Sequence, residues 1–215
     1  MTAGPAPGRQ RPVRIGLTGP IGCGKSTVAA WLGRRGAVVV DADVVARGVT
    51  APGTTGHDAV IERFGDAVRA PDGTLDRAAL ARIVFADPEA LRALESIVHP
   101  LVRPRVLAAI EAAAEAGAPA IVIEAIKLVE GGLADLCDQV WLVVCREQRE
   151  RLVGRGMAPA DADRRIAAQA GLEERVRRGA GDRLHVIDTS GTPADADVRV
   201  ARLWAAVVGQ EDASS

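Results

Sequence analysis

One nine-residue segment near the start of the chain has the residue types and the spacing of a phosphate-binding loop. Residues 19–27 read GPIGCGKST and match the pattern G-x-x-x-x-G-K-[ST] without a gap. Glycines such as Gly22 and Gly24 let successive backbone N–H groups turn towards phosphate oxygens, and a side chain at Gly24 would obstruct that approach. Such a loop, between a strand and a helix, is predicted to bind the phosphates of a nucleoside triphosphate.

The lysine of this segment is exceptional in the chain. Of the 27 lysines and arginines, only Lys25 and Lys127 are lysine. A compact ammonium on a flexible stem suits the β- and γ-phosphates, whereas the broad guanidinium of arginine does not fit the same crowded loop. We expect Ser26 to place its hydroxyl on Mg²⁺ and Thr27 to contact the α-phosphate. The predicted nucleotide contacts in this segment are Gly22, Cys23, Gly24, Lys25, Ser26 and Thr27.

Two aspartates follow the second apolar run of the chain. Asp41 and Asp43 end the segment AVVVDAD at 37–43, which has the β-branched composition of a strand. The carboxyl ends of parallel strands are where such sheets place their ligands, so both carboxylates are candidates for contact with a substrate. Asp is also a favoured helix N-cap, and Asp43 is alternatively the cap of the helix VVARG that follows. The two roles are compatible.

These candidates need a sheet and helices to position them. Five runs are typical of strands: VRIGLT (13–18), AVVVDAD (37–43), AIVIEA (120–125), QVWLVVC (139–145) and the more polar LHVIDT (184–189). The segment KSTVAAWLGRRG after the loop has apolar residues at helical spacing and Gly36 as a stop. Continuous apolar strands separated by helices predict an α/β fold with a parallel sheet buried on both faces, in which the last run is an edge strand.

Two helical stretches interrupt the strands. The insert at 48–117 is too long for a simple crossover, and Asp87 with Pro88 forms an N-cap and first-turn pair inside it. We expect this insert to form a helical lobe. The arginine-rich stretch at 146–180 is predicted to be a helical, mobile lid. The remaining core of one domain over 13–208 is then 13–47, 118–145 and 181–208.

The composition excludes several classes of protein. The 215 residues are 48% hydrophobic and carry a net charge of −1, which allows one sizeable core but gives no basic footprint for nucleic acid. Three cysteines without CxxC spacing argue against a disulfide framework or a thiolate zinc site and favour a reducing cytoplasm. No apolar run is long enough to span a bilayer. Residues 1–12 are expected to be a disordered lead, and 209–215 a polar tail.

Several further segments resemble one family, the bacterial dephospho-coenzyme A kinases. The similar segments are IGLTGPIGCGKST, VVDADVVAR, HPLVR at 99–103, EGGLADLCDQVWLV and RRIAAQ at 164–169, in the family's order over most of residues 13–208. The resemblance implies a P-loop kinase fold with a five-stranded parallel sheet flanked by helices, a helical substrate lobe and a helical lid. It also implies that the chain uses ATP and Mg²⁺ to phosphorylate the ribose 3′-hydroxyl of dephospho-CoA, the last step of coenzyme A biosynthesis.

The resemblance implies roles for individual residues as well. Asp43 would accept or orient the proton of the attacking hydroxyl, and Arg47, one helical turn further, would hold a substrate phosphate. Arg151 is the first candidate, and Arg155 the second, for a lid arginine that neutralises charge on the transferring phosphoryl group. The predicted catalytic residues are Asp43, Lys25 and Arg151, and the predicted substrate contacts are Asp43, Arg47, His99, Pro100, Arg103 and Glu130.

The chain departs from the family pattern at three places. Residues 124–130 read EAIKLVE, where the family usually has an acidic residue and then Pro-Leu-Leu-aromatic-Glu. Thr189, which we assign to the nucleotide site, replaces a common asparagine. Cys23 replaces a serine. Because Cys23 neighbours Lys25 and a helix N-terminus, we expect its thiol to favour the thiolate and to be alkylated unless ATP-Mg²⁺ is bound; an inert, buried side chain is the alternative.

The phosphate loop by itself leaves the acceptor open. A nucleoside monophosphate, shikimate or a sugar acid is an alternative acceptor for a small P-loop kinase. A P-loop regulatory switch is a further alternative, although the N-K-x-D segment typical of GTPases is absent from the sequence. The expected partner is a small-molecule substrate, with neither nucleic acid nor membrane, and the chain is expected to be a monomer or a small homo-oligomer in the cytoplasm.

Overall fold

The sheet has the five strands and the parallel arrangement that the sequence predicts. The computed structural model of the protein describes residues 11–209. The strands are β1 (Val13–Thr18), β2 (Val38–Asp41), β3 (Ala120–Glu124), β4 (Gln139–Val144) and β5 (Leu184–Asp188). Their order is β2-β3-β1-β4-β5, and β1 pairs in parallel with both β3 and β4. Parallel neighbours need crossover connections, which here are largely helical.

Helices fill most of the chain between the strands. Within residues 11–209 the α-helices are α1 (Lys25–Arg34), α2 (Ala42–Val49), α3 (Thr55–Phe64), α4 (Arg77–Ala86), α5 (Pro88–Glu115), α6 (Gln148–Gly154), α7 (Pro159–Ala167), α8 (Leu172–Ala180) and α9 (Pro193–Val208). The predicted stop after α1 is present, since Gly36 has a φ of +97°. The predicted α/β class is confirmed.

The central strands are buried on both faces. Ile121 and Val122 are neighbours in β3 and point to opposite faces, yet both are fully buried. Trp141 and Leu142 show the same for β4. The indole N–H of Trp141 donates a hydrogen bond to the side-chain oxygen of Gln139 at 3.1 Å, so the polar atom of this buried ring is paired.

The prediction for the second strand needs two corrections. β2 is an edge strand and is not buried on both faces, because only β3 lies beside it; Val38 is half-buried and Val39 is 37% exposed. The strand is also shorter than 37–43, because a helix begins at Ala42. β5 lies at the opposite edge of the sheet, as predicted.

Helix α2 begins where it does because Asp41 caps it. Asp41 has extended backbone angles, and its carboxylate accepts hydrogen bonds from the N–H groups of Asp43 at 2.8 Å and Val44 at 3.0 Å. The alternative that Asp43 is the N-cap is therefore wrong. Asp43 lies in the first turn of α2, where it is exposed.

The chain divides into two compact units. Residues Asp41–Ala109 form one of them, here called the helical unit, and the rest of the described chain forms the other, here called the core unit. The helical unit has its own apolar core, in which Val60 and Val68 are fully buried and Leu80 and Val84 nearly so. Each unit therefore buries an apolar cluster of its own, which is what allows it to be compact.

The longest helix, α5, combines two helical segments of the predicted insert. It has 28 residues and continues through Pro100 and Pro104, each of which lacks the N–H that a helix interior normally uses. The side chain of Asp87 accepts a hydrogen bond from the N–H of Glu89 at 2.8 Å. The predicted cap before Pro88 is therefore confirmed.

Residues 146–180, the predicted lid range, contain α6, α7 and α8. Arg165 lies in α7, whereas Gln169, one helical turn further along the sequence, is outside the helix because α7 ends at Ala167. Gln169 lies in the turn before α8, whose start is set by Gly171 with a φ of +73°. From this turn, the Gln169 side chain contacts the backbone of Ile21, as described below.

The predicted terminal segments fall almost wholly outside the described residues. Residues 1–10 of the predicted lead and 210–215 of the predicted tail are not described. Arg11 forms an ion pair with Asp138, with an N–O distance of 3.0 Å. Gly209 directly follows α9 and is its C-cap.

Candidate active site

The phosphate-binding segment lies between β1 and α1. Gly19 follows β1 directly, and a Cβ at this position would lie 2.1 Å from the carbonyl oxygen of Val143, so the close approach of the two backbones requires glycine. Gly24 has a φ of +86° and precedes α1. Among the described residues, no side chain caps this helix start. Its N–H groups and the positive end of the helix dipole therefore suit an anion.

Lys25 is the first residue of α1 and reaches back to the start of the loop. Its ammonium donates a hydrogen bond to the carbonyl oxygen of Gly19 at 3.0 Å. The cation therefore stays at the loop, where a β- or γ-phosphate would need it. The sequence names this lysine as a phosphate contact, and that role stays a prediction.

Ser26 lies beside a carboxylate. Its hydroxyl donates a hydrogen bond to Oε1 of Glu124, the last residue of β3, at 3.1 Å. β1 and β3 are adjacent and parallel, so their carboxyl ends place the loop and this glutamate together. A hydroxyl and a carboxylate are oxygen ligands of the kind that Mg²⁺ prefers.

Two glutamines hold the backbone of the phosphate loop at one residue. The N–H of Ile21 donates to Oε1 of Gln169 at 2.7 Å, and the carbonyl oxygen of Ile21 accepts from Nε2 of Gln148 at 2.6 Å. Gln148 begins α6, and Gln169 precedes α8. The predicted lid range therefore contacts the loop directly. The sequence predicts this role for neither glutamine, although Gln169 lies in the segment RRIAAQ that resembles the family.

A cavity of about 260 Å³ opens beside the loop. It brings together Gly24, Thr27, Arg151, Arg155 and Thr189, which are all predicted site residues. The rest of its lining is Trp31, Gly191, Pro193 and Ala196. Residues from the loop, from α6 and from the segment after β5 thus share one concave surface, although they are far apart in sequence.

Arg151 is linked to the phosphate loop through Thr189. Its guanidinium donates to the carbonyl oxygen of Thr189 at 2.6 Å and lies 3.4 Å from the carboxylate of Glu147. The buried hydroxyl of Thr189 donates to the carbonyl oxygen of Cys23 at 2.8 Å. Thr189 therefore supports the loop backbone and orients the arginine at the same time.

The prediction of a reactive Cys23 thiolate is wrong. Cys23 is 1% exposed, and burial, followed by contacts with Cys145, raises its pKa to about 12, against a smaller lowering effect of Lys25. Desolvation thus outweighs the nearby cation, because it disfavours the charged form directly. Cys23 is the small buried side chain of the alternative interpretation.

Glu130 has a partner from the lid range. Its Oε1 accepts a hydrogen bond from Nε of Arg175, in α8, at 2.7 Å. The pair connects the altered segment 124–130 to this helix. In the same segment Leu128 is fully buried, and its Cδ2 lies 2.6 Å from where a Cβ on Gly16 would be, so part of the unusual sequence is packed core.

The remaining predicted substrate contacts belong to the helical unit. Asp43 and Arg47 are both exposed and lie one turn apart in α2. In α5, His99 is half-buried while Pro100 and Arg103 are exposed. The unit therefore contains two short series of predicted substrate contacts, each on one helix.

Arg77 is a further basic residue of the helical unit that the sequence prediction missed. Its guanidinium donates to the carbonyl oxygen of Arg47 at 3.1 Å and to the hydroxyl of Thr50 at 3.3 Å. Burial, and then the charge of Arg47, lowers the pKa of Arg77. Arg77 therefore lies close to Arg47, a predicted substrate contact. A single arginine in a helix-start segment carries no sequence signal for this.

Comparison with known proteins identifies the family. Residues 13–192 match the family described as dephospho-CoA kinase. The chain belongs to the dephospho-CoA kinase family. A dephospho-CoA kinase of Symbiobacterium thermophilum is 44% identical over 200 residues, which cover 92% of this chain and 82% of the relative. A dephospho-CoA kinase of Geobacter sulfurreducens is 43% identical over 194 residues, which cover 89% of this chain and 96% of the relative.

Solved structures share the fold of this dephospho-CoA kinase family member. A crystal structure from Thermus thermophilus matches with a TM-score of 0.74 and 34% identity, over 94% of this chain and 98% of that one. A dephospho-CoA kinase from Campylobacter jejuni matches with a TM-score of 0.65 and 21% identity, over 92% and 98% of the two chains, and this likeness concerns the fold alone. The predicted P-loop kinase fold is confirmed.

Membership of a dephospho-CoA kinase family makes the chain a transferase, and a kinase family implies ATP as a substrate. Among residues 11–209, no three or more His, Cys, Asp or Glu side chains are grouped so that they could hold a metal ion. Within the same residues, none of the helices combines the length and the apolar character that a membrane span needs.

Proposed function

We propose that this chain transfers the γ-phosphoryl group of ATP to the ribose 3′-hydroxyl of dephospho-CoA, which gives coenzyme A and ADP and completes coenzyme A biosynthesis. The observation that carries the proposal is the arrangement of Lys25, Ser26 and Glu124 at the carboxyl ends of β1 and β3, in a chain of the dephospho-CoA kinase family. The curated relatives named above support the acceptor.

The phosphate loop holds the donor in this proposal. Backbone N–H groups from Gly22 to Ser26 bind the β- and γ-phosphates, and Lys25 adds a positive charge. The Ser26 hydroxyl and the Glu124 carboxylate, 3.1 Å apart, fit Mg²⁺, which usually takes one or two protein oxygens and completes its shell with phosphates and water. When bound, the ion neutralises charge on the β- and γ-phosphates. Thr27 contacts the α-phosphate.

Two arginines of the cavity act on the transferring group. Phosphoryl transfer depends mainly on positioning and on electrostatic stabilisation of charge on the equatorial oxygens. Arg151 is the first candidate for this role, because Thr189 orients its guanidinium beside Gly24, and Arg155 lines the same cavity. Thr189 and its neighbours in the cavity bind the rest of the nucleotide.

Side chains of the helical unit bind the acceptor. Asp43 orients the 3′-hydroxyl and accepts its proton, which a carboxylate can do even when proton transfer follows phosphorus–oxygen cleavage. Arg47 holds a phosphate of dephospho-CoA. The segment from His99 to Arg103 contributes further contacts. Glu130, which is not part of the helical unit, is the last of the proposed substrate contacts. The support for these roles is the match of these positions to family segments and, for the first two, their shared face on α2.

The decisive experiment incubates the purified protein with ATP-Mg²⁺ and dephospho-CoA and measures the product mass. We expect the acceptor to gain one phosphoryl group and ADP to form in equal amount. Nucleoside monophosphates, shikimate and sugar acids serve as competing acceptors and should remain unmodified. Hydrolysis of ATP without an acceptor product would instead indicate a regulatory switch, and preference for another acceptor would overturn the assignment.

The remaining partner assignments belong to the same proposal. A small-molecule acceptor, no nucleic-acid partner and a cytoplasmic location agree with the net charge of −1 and with the cysteine pattern. We propose a monomer or a small homo-oligomer. Light scattering of the purified protein with and without ATP tests this, and a large assembly would contradict it.

A further inference from the structure

The phosphate loop contains one cysteine whose sulfur lies against a second cysteine. Cys145 directly follows β4, and its Sγ lies 2.7 Å from the Sγ of Cys23. A backbone carbonyl oxygen lies near each sulfur, 3.9 Å from Sγ of Cys145 for Gly22 and 4.0 Å from Sγ of Cys23 for Cys145. Both sulfurs are free thiols. Their separation exceeds a disulfide bond of about 2.05 Å by a fraction of an ångström.

The two thiols differ in access to solvent. Cys23 is buried, whereas Cys145 is half-buried and is therefore the more exposed residue of the two. The third cysteine, Cys137, is buried elsewhere, and its thiol donates to the carbonyl oxygen of Leu133 at 3.3 Å. The chain therefore contains one close thiol pair and one separate thiol, which provides an internal control.

We propose that Cys23 and Cys145 form a disulfide when the protein meets a peroxide, and that this bond restrains the phosphate loop and lowers turnover. Cys145 reacts first: its sulfur attacks one oxygen of the peroxide and becomes a sulfenic acid, and the hydroxide that leaves takes up the thiol proton as water. The sulfur of Cys23 then attacks the sulfenic sulfur and displaces its hydroxyl group as water. In total two thiols lose two protons and two electrons, and hydrogen peroxide becomes two molecules of water.

The bond acts at the point where the loop is already held. The carbonyl oxygen of Cys23 accepts the hydrogen bond from Thr189 that also positions Arg151. A covalent link from residue 23 to the end of β4 fixes this backbone between Gly22 and Gly24, the glycines that shape the loop. Loop geometry determines where phosphates lie, and small misplacements of reacting groups cost large factors in rate.

The pair is expected to react slowly at neutral pH. Burial raises the pKa of Cys145 as well as that of Cys23, so most of both side chains are protonated, and the thiolate is the reactive form. Disulfide formation should therefore accelerate as pH rises. A dithiol reductant returns two electrons and two protons and reopens the bond.

The test counts free thiols and measures turnover in the full chain. The protein is treated with hydrogen peroxide, the excess is removed, and the denatured protein is alkylated and weighed. We expect three alkyl groups on the untreated chain and one on the oxidised chain, since the sequence has three cysteines. Kinase turnover should fall roughly tenfold on oxidation and return with dithiothreitol.

Two serine variants separate the outcomes. Cys145→Ser is expected to keep its activity after peroxide, whereas Cys137→Ser, the matched control, is expected to lose activity as the unmodified chain does. Three alkyl groups after oxidation, or equal inactivation of Cys145→Ser, would overturn the proposal. A disulfide that leaves turnover unchanged would overturn the restraint on the loop. The turnover readout rests on the proposed kinase activity, but the thiol count does not, so failure of one is distinguishable from failure of the other.

Discussion

The two units of the molecule begin their helices in different ways. In the helical unit, α2 to α5 each start at a residue whose side chain accepts a hydrogen bond from a first-turn N–H, namely Asp41, Thr54, Asp76 and Asp87. In the core unit, as far as residues 11–209 show, α1, α6, α7 and α8 start without such a side chain, and α9 has one from Thr192.

Helices with a side-chain cap can be started by the local sequence, whereas helices without one depend on contacts with the rest of the fold. A side-chain cap contributes typically about 1 kcal/mol, so the helical unit gains stability at each helix start from neighbouring residues alone. The uncapped start of α1 leaves N–H groups for phosphates. The starts of α6, α7 and α8 lack this local contribution and depend on tertiary contacts instead.

The largest expected effect concerns Asp43 of the helical unit. Asp43→Asn removes the charge that aligns the acceptor hydroxyl, so we expect transfer to dephospho-CoA to fall roughly 10²- to 10⁴-fold while ATP affinity is retained. Steady-state kinetics and ATP binding measured separately test this. Asp41→Asn is the matched control, since Asn caps α2 as well as Asp does. Weak ATP binding with normal turnover at saturation would place Asp43 in the nucleotide site and make Glu124 the next candidate base.

In the core unit, variants of Lys25 are measured in the same kinetic assay. Lys25→Ala should fold normally and lower turnover at saturating ATP by roughly 10²-fold or more, about 2.7 kcal/mol, because the loop backbone remains while its cation is lost. Lys25→Arg should not restore activity, because the planar guanidinium does not fit the loop. Circular dichroism confirms folding. Near-normal turnover of the alanine variant contradicts the assigned role.

Gln169 tests whether the lid range shapes the phosphate loop. Gln169→Ala removes the acceptor for the N–H of Ile21, a loss of about 1 kcal/mol, so we expect the KM for ATP to rise several-fold with a smaller change in kcat. Gln169→Glu keeps an acceptor oxygen but adds a negative charge beside a loop that binds phosphates, so ATP affinity should fall in this variant as well. If both variants bind ATP as tightly as the unmodified chain does, the loop does not depend on this contact.

Asp76 tests the capped start of α4. Asp76→Ala should lower the free energy of unfolding by about 1 kcal/mol, because two N–H groups of the first turn lose their acceptor. Asp76→Asn should retain most of the stability. Urea denaturation gives both values, and ATP affinity should not change in either variant. An unchanged midpoint for the alanine variant would show that packing alone starts this helix.

The smallest expected effect comes from adding a cap where the core unit has none. Ala158 precedes α7, whose first residue is Pro159, and its backbone is compatible with serine. Ala158→Ser should stabilise the start of α7 by about 0.5 kcal/mol and slow amide hydrogen exchange there, with turnover nearly unchanged. Exchange at the unmodified rate would mean that tertiary contacts already hold this turn.

The phosphate loop shows why part of the site is predictable. The backbone of residues 19–27 is determined by glycines that permit unusual angles and by one lysine, and these are properties of single residues at fixed spacing. The start of helix α5 at Asp87 and the edge position of strand β5 were also predictable from the local sequence. The substrate roles of Asp43, Arg47 and the 99–103 segment come from resemblance and stay predictions.

The sequence by itself determined the strands, the loop, the α/β class and the family, because periodicity, turn chemistry and motif spacing are local. Only the tertiary structure decided that β2 is an edge strand, that Gln148 and Gln169 both hold Ile21, and that Cys145 lies against Cys23. It also decided the protonation of Cys23, since the sequence shows the adjacent cation but not the burial that outweighs it. Each of these results depends on which residues, distant in the sequence, become neighbours in the fold. The spacing of residues along the chain does not show which residues those are.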